Sequence, residues 1–193
     1  MQPCLLSYST EQLVAVLGDL GHKPYRATQL REWIWKHRAA DFESMTNLPP
    51  ALRAALAERF CLRPLQVVEV SESSTGSATR KFLSRMQDGH LVESVIIPAA
   101  VGERGEHSSR LTLCVSSQVG CAYGCKFCAS GLHGFTRNLS SAEILGQILA
   151  AEEAHRSGRT GADRRNNCMT HDYTNEDFSR LFYDLDGEGD GEA

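Results

Sequence analysis

Three cysteines lie close together beyond the middle of the chain, at Cys121, Cys125 and Cys128. If this segment forms a loop, the spacing of four and three residues lets the sulfur atoms meet at one metal centre. Three thiolates on a four-iron cluster leave one iron open, and an open iron can bind and reduce a ligand. Phe127, inside the same segment, can pack against an aromatic cofactor or simply beneath the loop.

Zinc is the main alternative for this group of cysteines. A structural zinc ion takes four ligands in a closed tetrahedron, and Cys114 or His133 can supply the fourth. A ferredoxin-type cluster also takes four cysteines, but its usual Cys-x2-Cys-x2-Cys run is absent from this sequence. The spacing alone therefore leaves an open iron–sulfur cluster and a zinc ion as alternatives.

Residues 1–63 are predicted to form a helical N-terminal accessory domain of three helices. Ser9 begins a capping box ahead of leucines at helical spacing. A second helix is predicted over Ala27–Arg38, and Pro49 with Pro50 begins a third. This unit contains no candidate catalytic residue.

Strand patterns follow the helices and lead to the cysteines. Leu65–Val70 and Thr79–Met86 predict two strands, and Asp88–Gly89 predicts a tight turn to a return strand over Leu91–Ile97. A further short strand is predicted over Arg110–Val115, and it runs directly into the cysteine segment.

A helix is predicted after the cysteines and a glycine-containing loop. Ser140 with Glu143 forms a capping box, and Leu139 with Ile144 fits a hydrophobic staple. A strand, a loop and a helix in this order open a βα unit. The predicted fold class is therefore α+β, with a small helical N-terminal domain, a β-hairpin and one βα unit.

The charge of the chain is unevenly distributed. The net charge of −4 includes eight acidic residues and one basic residue from Asp172 onwards, so residues 1–171 carry a net +3. That excess tolerates a polyanionic partner without identifying one. Residues 158–193 are predicted to be a divergent, disordered acidic tail.

Composition restricts the class of protein. Hydrophobic residues make up 41% and charged residues 23% of the 193, as in ordinary globular proteins. No segment is apolar enough to predict a membrane span, and the N-terminus has no secretory signal pattern. Seven cysteines then favour metal or redox chemistry in a reducing compartment, so we expect a cytoplasmic protein.

Linked motifs occur in a fixed order along the chain. They are Tyr25–Leu30 with Trp33, Thr79–Leu83, Asp88–Pro98, Thr112–Cys128 and Gly134–Leu139. Together they resemble the radical S-adenosylmethionine (SAM) methyltransferases that methylate C2 of adenine in ribosomal and transfer RNA. The resemblance runs from about Ser9 to about Glu153, and it implies that residues 64–157 hold the β-hairpin and the start of a radical-SAM (β/α) barrel.

The resemblance implies a cofactor set for the three cysteines. Cys121, Cys125 and Cys128 match the ligands of a [4Fe-4S] cluster, whose fourth iron would hold the amino and carboxylate groups of SAM. Phe127 is then a candidate contact to that cofactor. The family also implies an electron donor such as flavodoxin.

Two further residues gain roles from the resemblance. Glu93 falls where the family has a proton acceptor, and Cys114 matches a cysteine that helps to resolve a covalent protein–RNA intermediate through a transient disulfide. Judged by pattern alone, Glu93 can be a solvent-facing strand residue and Cys114 a small buried hydrophobe. The implied substrates are 23S rRNA and, as a second candidate, tRNA, with no membrane partner.

Some family motifs have no match after Glu153. These are the methyl-carrying cysteine and a glycine-glutamate-proline segment that holds SAM, and the surroundings of Cys168 do not fit the cysteine motif. We therefore expect a C-terminally truncated or frame-disrupted member with intact cluster ligands and impaired activity. A non-enzymatic remnant that binds RNA or a partner, and a small zinc-binding structural protein, are the alternatives.

Overall fold

The computed structural model describes residues 2–73, 79–99, 110–123, 125–132 and 134–157. Within these ranges the helices are α1 Thr10–Asp19, α2 Tyr25–Trp35, α3 Pro50–Arg59 and α4 Ser141–Ser157. The strands are β1 Leu65–Glu72, β2 Arg80–Met86, β3 Leu91–Pro98, β4 Leu111–Cys114, β5 Gln118–Gly120 and β6 Phe135–Asn138. Short 3₁₀ turns lie at Leu5–Ser7 and Ala129–Gly131. The predicted acidic tail lies outside the described residues.

Helices α1 and α3 begin where their N-terminal signals predict, whereas α2 is shifted. Ser9 caps α1, because its Oγ accepts from the Gln12 N–H at 3.3 Å while Gln12 Oε1 accepts from the Ser9 N–H at 2.8 Å. Helix α2 starts directly after Pro24, two residues before the predicted start, and it ends three residues before the predicted end. The backbone turns away from this helix at Arg38, whose φ of 56° lies in the left-handed region.

The helical unit does not complete its own core. Buried side chains from the first 3₁₀ turn and from α1 to α3 pack together, among them Leu5, Leu13, Leu17, Leu30, Leu52 and Leu56. Helix α4 adds Ala142, Leu145 and Leu149 to the same cluster. The last described helix is therefore part of the hydrophobic core around the first three.

Strands β1 to β4 form one antiparallel sheet in the order β1-β2-β3-β4. The predicted turn joins β2 to β3, with Gly89 at a φ of 88° and the His90 N–H donating to Asp88 Oδ1 at 3.0 Å. Phe82 and Ile96 are fully buried on one face of the sheet, where they cluster with Ala151 of α4. The opposite face carries exposed positions of β3, which include Glu93 and Ile97.

The α+β fold class is confirmed, with a strand before the cysteines and a helix after them. The pair β5 and β6 was not predicted from the sequence. These strands have three and four residues and include Gly120, so they lack the run of alternating apolar side chains that predicts a strand. In both sheets of the described residues, neighbouring strands run antiparallel.

An ion pair also connects helix α4 to the helical unit. Glu152 is 4% exposed, and its carboxylate accepts hydrogen bonds from Arg38 Nε at 2.8 Å and from Arg156. The buried carboxylate therefore has two cationic partners, one of them on the helical unit. None of the helices in the described part of the chain is long and apolar enough to span a membrane.

Candidate active site

Strands β5 and β6 close a loop that contains all three predicted cluster cysteines. We call residues 121–134 the cysteine loop. The Cys121 N–H donates to the carbonyl oxygen of Gly134 at 3.1 Å, and Gln118 Nε2 donates to Asn138 Oδ1 at 3.1 Å. Gln118 Oε1 also accepts from the Ala122 N–H at 3.4 Å. The two ends of the loop are therefore held together by backbone and side-chain bonds.

Gly120 makes this closure possible. Its φ of 74° is unfavourable for other residues, and a Cβ atom placed on it would lie 1.8 Å from the carbonyl oxygen of Gly134. A register shift between Val119 and Gly120 brings the backbone to this close approach. A side chain at position 120 is therefore incompatible with the closed loop.

Hydrogen-bonded turns fold the inside of the loop. The Cys128 N–H donates to the Cys125 carbonyl oxygen at 3.0 Å, and the Gly131 N–H donates to the Cys128 carbonyl oxygen at 3.1 Å. The Cys125 side chain is exposed, and those of Cys121 and Cys128 are half-buried. The Ser130 N–H and hydroxyl donate to Cys128, which lowers the pKa of its thiol.

The three thiols share one loop but are not gathered around a common point. Among the described residues, no group of three or more His, Cys, Asp or Glu side chains is arranged to hold a metal ion. The chemistry of the donor set still fits an iron–sulfur cluster, because three accessible thiols in one closed loop can supply three thiolates. The alternative zinc ligand His133 lies outside the described residues.

Phe127 does not pack beneath the loop. Its side chain is 93% exposed, and that of the neighbouring Tyr123 is 88% exposed. Two exposed aromatic rings beside the cysteines leave apolar surface that a bound cofactor can cover.

Glu93 and Cys114 lie on the same open face of the larger sheet. Cys114 of β4 pairs with Val95 of β3, two residues from Glu93, so the two side chains are diagonal neighbours. Cys114 is exposed, in contrast to the alternative of a buried hydrophobe. The Glu93 carboxylate lies 2.8 Å from Lys81 Nζ, and this hydrogen bond raises the pKa of the lysine.

Arg137 on β6 connects the cysteine loop to the rest of the fold. Its guanidinium donates to Asp88 in the β2–β3 turn at 2.9 Å, and to Glu143 in the first turn of α4 at 2.7 and 2.9 Å. It also donates to the Asn138 carbonyl oxygen at 3.0 Å. The sequence did not predict this role of Arg137, because its partners lie on two different elements.

Burial and hydrogen bonding act in opposite directions on the two acidic partners. Burial raises the pKa of Glu143, but hydrogen bonds from Arg137 and Ser140 outweigh it, and the pKa lies below its ordinary value. The same balance, with bonds from Arg137 and His90, holds the pKa of Asp88 below its ordinary value. Both carboxylates are therefore charged at neutral pH.

Gln147 is a second residue whose role the sequence did not predict. Its side chain on α4 is fully buried, its Oε1 accepts from the Ser116 N–H at 2.9 Å, and its Nε2 donates to the Ser116 carbonyl oxygen at 2.9 Å. Ser116 Oγ in turn donates to the Glu93 carbonyl oxygen at 2.7 Å. The segment between β4 and β5 is therefore tied to both α4 and β3.

Comparisons with known proteins agree with these features. Residues 4–62 match the family model of the ribosomal RNA large subunit methyltransferase N-terminal domain. The probable dual-specificity RNA methyltransferase RlmN of Akkermansia muciniphila is 54% identical over 150 residues, which cover 78% of this chain and 41% of that protein. Over these residues the chain is similar to the RlmN proteins. The match with the dual-specificity RNA methyltransferase RlmN of Alkalilimnicola ehrlichii is 47% identical over 147 residues, and it covers 76% of this chain and 38% of that protein.

A solved structure is similar to this chain at the level of the fold. The crystal structure of a radical SAM methyltransferase from Sphaerobacter thermophilus superposes with a TM-score of 0.70 at 40% identity. The match covers 82% of this chain and 44% of that one. The chain thus spans less than half the length of each of these three proteins.

Proposed function

We propose that this chain forms the cluster-binding part of a radical SAM methyltransferase site that acts on C2 of adenine in 23S rRNA and tRNA. The observation that carries the proposal is the cysteine loop, in which β5 and β6 enclose three cysteines directly beyond the sheet that presents Glu93 and Cys114. Two relatives are named as dual-specificity RNA methyltransferases, which supports RNA as the substrate class.

Cys121, Cys125 and Cys128 would hold a [4Fe-4S] cluster through their sulfur atoms, and the exposed ring of Phe127 would contact SAM. The bound cluster and SAM supply one-electron chemistry, which is needed because C2 of adenine is electron-poor and offers no lone pair to a sulfonium. A donor such as flavodoxin would provide the electron. The target adenine must leave its stack to reach such a site, which favours a loop in the RNA.

Glu93 and Cys114 would act on the same open face of the sheet. The Glu93 carboxylate would accept a proton, and Lys81 orients it through the 2.8 Å ion pair. Cys114 would attack the sulfur of a second cysteine that is covalently bonded to the RNA. An S–S bond would form, the S–C bond would break, and the released carbon would keep the electron pair and take up a proton as a methyl group. The exposure of Cys114 leaves its sulfur accessible for this attack.

The first experiment tests cluster binding. The chain is reconstituted anaerobically with iron and sulfide, and we expect a broad absorbance band near ~400 nm with about four irons per chain. Replacing Cys125 by Ala should abolish the band, whereas replacing Cys168 by Ser, the matched control, should leave it unchanged. Stoichiometric zinc without the band would overturn the proposal in favour of a structural zinc site.

The second experiment tests whether this chain alone binds SAM and whether it alone methylates RNA. The 193 residues contain no match to the family's methyl-carrying cysteine motif or to its SAM-holding glycine-glutamate-proline segment. The reconstituted chain by itself should therefore bind SAM through the cluster alone and form no C2-methyladenosine on unmodified 23S rRNA. Equilibrium dialysis with labelled SAM and nucleoside analysis of the RNA measure the two quantities. Clear product formation by this chain alone would contradict the partial-site proposal.

A further inference from the structure

A second pair of cysteines lies outside the cysteine loop, where the N-terminal segment meets the end of α3. Cys4 and Cys61 are partners in an isolated parallel β-bridge. The Cys61 N–H donates to the Pro3 carbonyl oxygen at 3.0 Å, and the Leu5 N–H donates to the Cys61 carbonyl oxygen at 3.0 Å. These two bonds fix the backbone on both sides of Cys4.

The bridge places the two side chains within reach of each other. Directly opposed residues of paired strands carry their side chains on the same face, with backbones about 4.8 Å apart. Disulfides join residues whose Cα atoms are roughly 4.4 to 6.8 Å apart. A bond between Cys4 and Cys61 therefore requires little movement of the backbone.

The two thiols have different environments. Cys4 is 8% exposed within the core of the helical unit, whereas Cys61 is half-buried and its Sγ accepts from Gln87 Nε2 at 3.1 Å. A hydrogen bond between the thiols raises the pKa of Cys4, and with the bond from Gln87 it lowers the pKa of Cys61 to about 7. Cys61 is thus suited to attack an oxidant, and Cys4 is placed to react next.

We propose that Cys4 and Cys61 form a reversible disulfide in response to hydrogen peroxide, which staples the N-terminal segment to the end of α3. The site is separate from the proposed methyltransferase chemistry and requires no cluster. A disulfide that forms and reverses in this way is a redox-sensing modification.

The reaction needs one peroxide and no other oxidant. The Cys61 thiolate attacks one peroxide oxygen, an S–O bond forms, the O–O bond breaks, and the departing hydroxide takes up a proton to become water. The Cys4 thiol then attacks the sulfenic sulfur, an S–S bond forms, the S–O bond breaks, and the hydroxyl leaves with the Cys4 proton as a second water. The two thiols lose two electrons in total, and the peroxide gains them.

The disulfide would change the junction around it. It closes a loop from residue 4 to residue 61 that contains α1, α2 and α3, so it restricts the unfolded chain. It also removes the Cys61 thiolate, which accepts a hydrogen bond from Gln87. Gln87 lies in the turn between β2 and β3. We therefore expect oxidation to raise the urea midpoint of unfolding of the helical unit.

The test uses the full chain without added iron. After treatment with hydrogen peroxide, free thiols are blocked with N-ethylmaleimide and a non-reducing tryptic digest is analysed by mass spectrometry. The expected main product joins the peptide of Cys4 to the peptide of Cys61, and dithiothreitol separates them. A main product that joins Cys61 to a cysteine of the cysteine loop, or Cys4 recovered fully alkylated, would overturn the proposal.

Variants distinguish a specific disulfide between Cys4 and Cys61 from general oxidation of cysteines. Cys4→Ala keeps the buried position apolar, and it should leave a Cys61 sulfenic acid that dimedone traps. Cys61→Ser should leave Cys4 reduced, and the matched control Cys114→Ser should retain the Cys4–Cys61 product. Peroxide should raise the urea midpoint of the unmodified chain but not that of Cys4→Ala, and an equal midpoint before and after oxidation contradicts a staple.

Discussion

At Gly120 the backbone of β5 passes so close to Gly134 that no side chain fits between them. The constraint has two separable parts, a φ of 74° and a contact of 1.8 Å between a Cβ atom and the carbonyl oxygen of Gly134. Gly21 has the first part without the second, since its φ is 76° and no atom lies within 4 Å of its Cβ position. Gly21 is therefore a matched control for Gly120, because a substitution there tests the φ angle without the contact.

Replacing Gly120 by Ala should open the cysteine loop. The left-handed φ costs about 1 to 2 kcal/mol, and the clash with the Gly134 carbonyl adds to it because backbone atoms must move. We expect a loss of free energy of unfolding clearly larger than this range, together with reduced iron loading in the reconstitution assay.

The control, Gly21→Ala, should lose only about 1 to 2 kcal/mol and should keep normal iron loading. Urea unfolding followed by circular dichroism gives the first quantity, and iron analysis gives the second. Equal losses in the two variants would show that the contact with Gly134 does not hold the loop closed.

Arg137 is the second residue on which the loop depends. Replacing it by Met should lower the free energy of unfolding at neutral pH by about 1 to 3 kcal/mol, because two carboxylates lose their cationic partner. The control Lys81→Met removes an exposed ion pair with Glu93 and should change stability little. Urea titrations of the two variants measure the difference.

The same contacts predict a dependence on pH. The folded state depresses the pKa values of Asp88 and Glu143, so they stabilise the fold above their ordinary pKa values, and this contribution is lost as the pH falls through the depressed values. We expect the urea midpoint to fall between about pH 5 and pH 3, and to fall less in Arg137→Met. Parallel acid titrations that do not differ would rule out this contribution.

At the scale of elements, the segment between β4 and β5 has no regular structure but is held at its middle residue, Ser116. Gln147 pairs with both backbone groups of Ser116, in the manner of a neighbouring strand. This side chain therefore fixes the direction in which the chain leaves the sheet and enters the cysteine loop.

Replacing Gln147 by Met keeps the volume of the side chain but leaves the Ser116 N–H and carbonyl oxygen without their partner. Each buried polar group left in this way costs about 1 to 3 kcal/mol. Hydrogen exchange at the Ser116 amide should speed up relative to amides within β2 and β3. Unchanged protection of Ser116 would show that Gln147 is not what holds the segment.

The sequence predicts elements where local signals are strong. The capping boxes at Ser9 and Ser140 and the turn at Asp88–Gly89 act within a few residues, and the structure confirms each of them. Arg137 and Gln147 could not be predicted, since their partners lie as many as 49 and 31 residues away. The cysteine motif predicted the position of the loop. The enclosure of that loop by β5 and β6 could not be predicted, because it depends on the contact between Gly120 and Gly134.

At the scale of the whole molecule, α4 connects three hydrophobic clusters. Leu145 and Leu149 pack into the helical unit, Ile144 packs with Leu65 and Met86, and Ala151 packs against the sheet. The helical unit, the four-stranded sheet and the residues at β5 and β6, Val119 and Leu139, therefore share one helix. A destabilising substitution in α4 should therefore lower the stability of all of them.

Replacing Leu149 by Ala tests this coupling. The side chain is 2% exposed, so its loss should cost about 2 to 5 kcal/mol. Both tryptophans, Trp33 and Trp35, lie on α2, and their fluorescence should report the full loss although the change is on α4. The control Glu153→Ala removes only a 3.8 Å contact with Arg63 and should have a small effect.

The position of α4 in the chain also has a consequence for synthesis. About 80 residues separate the end of α3 from the start of α4, and a ribosome adds roughly 5 to 20 residues per second. For on the order of 10 seconds, the nascent helical unit presents to the cell the apolar surface that α4 later covers. Chaperones that act on emerging chains therefore have a defined period in which to bind this protein, and it ends when α4 leaves the exit tunnel.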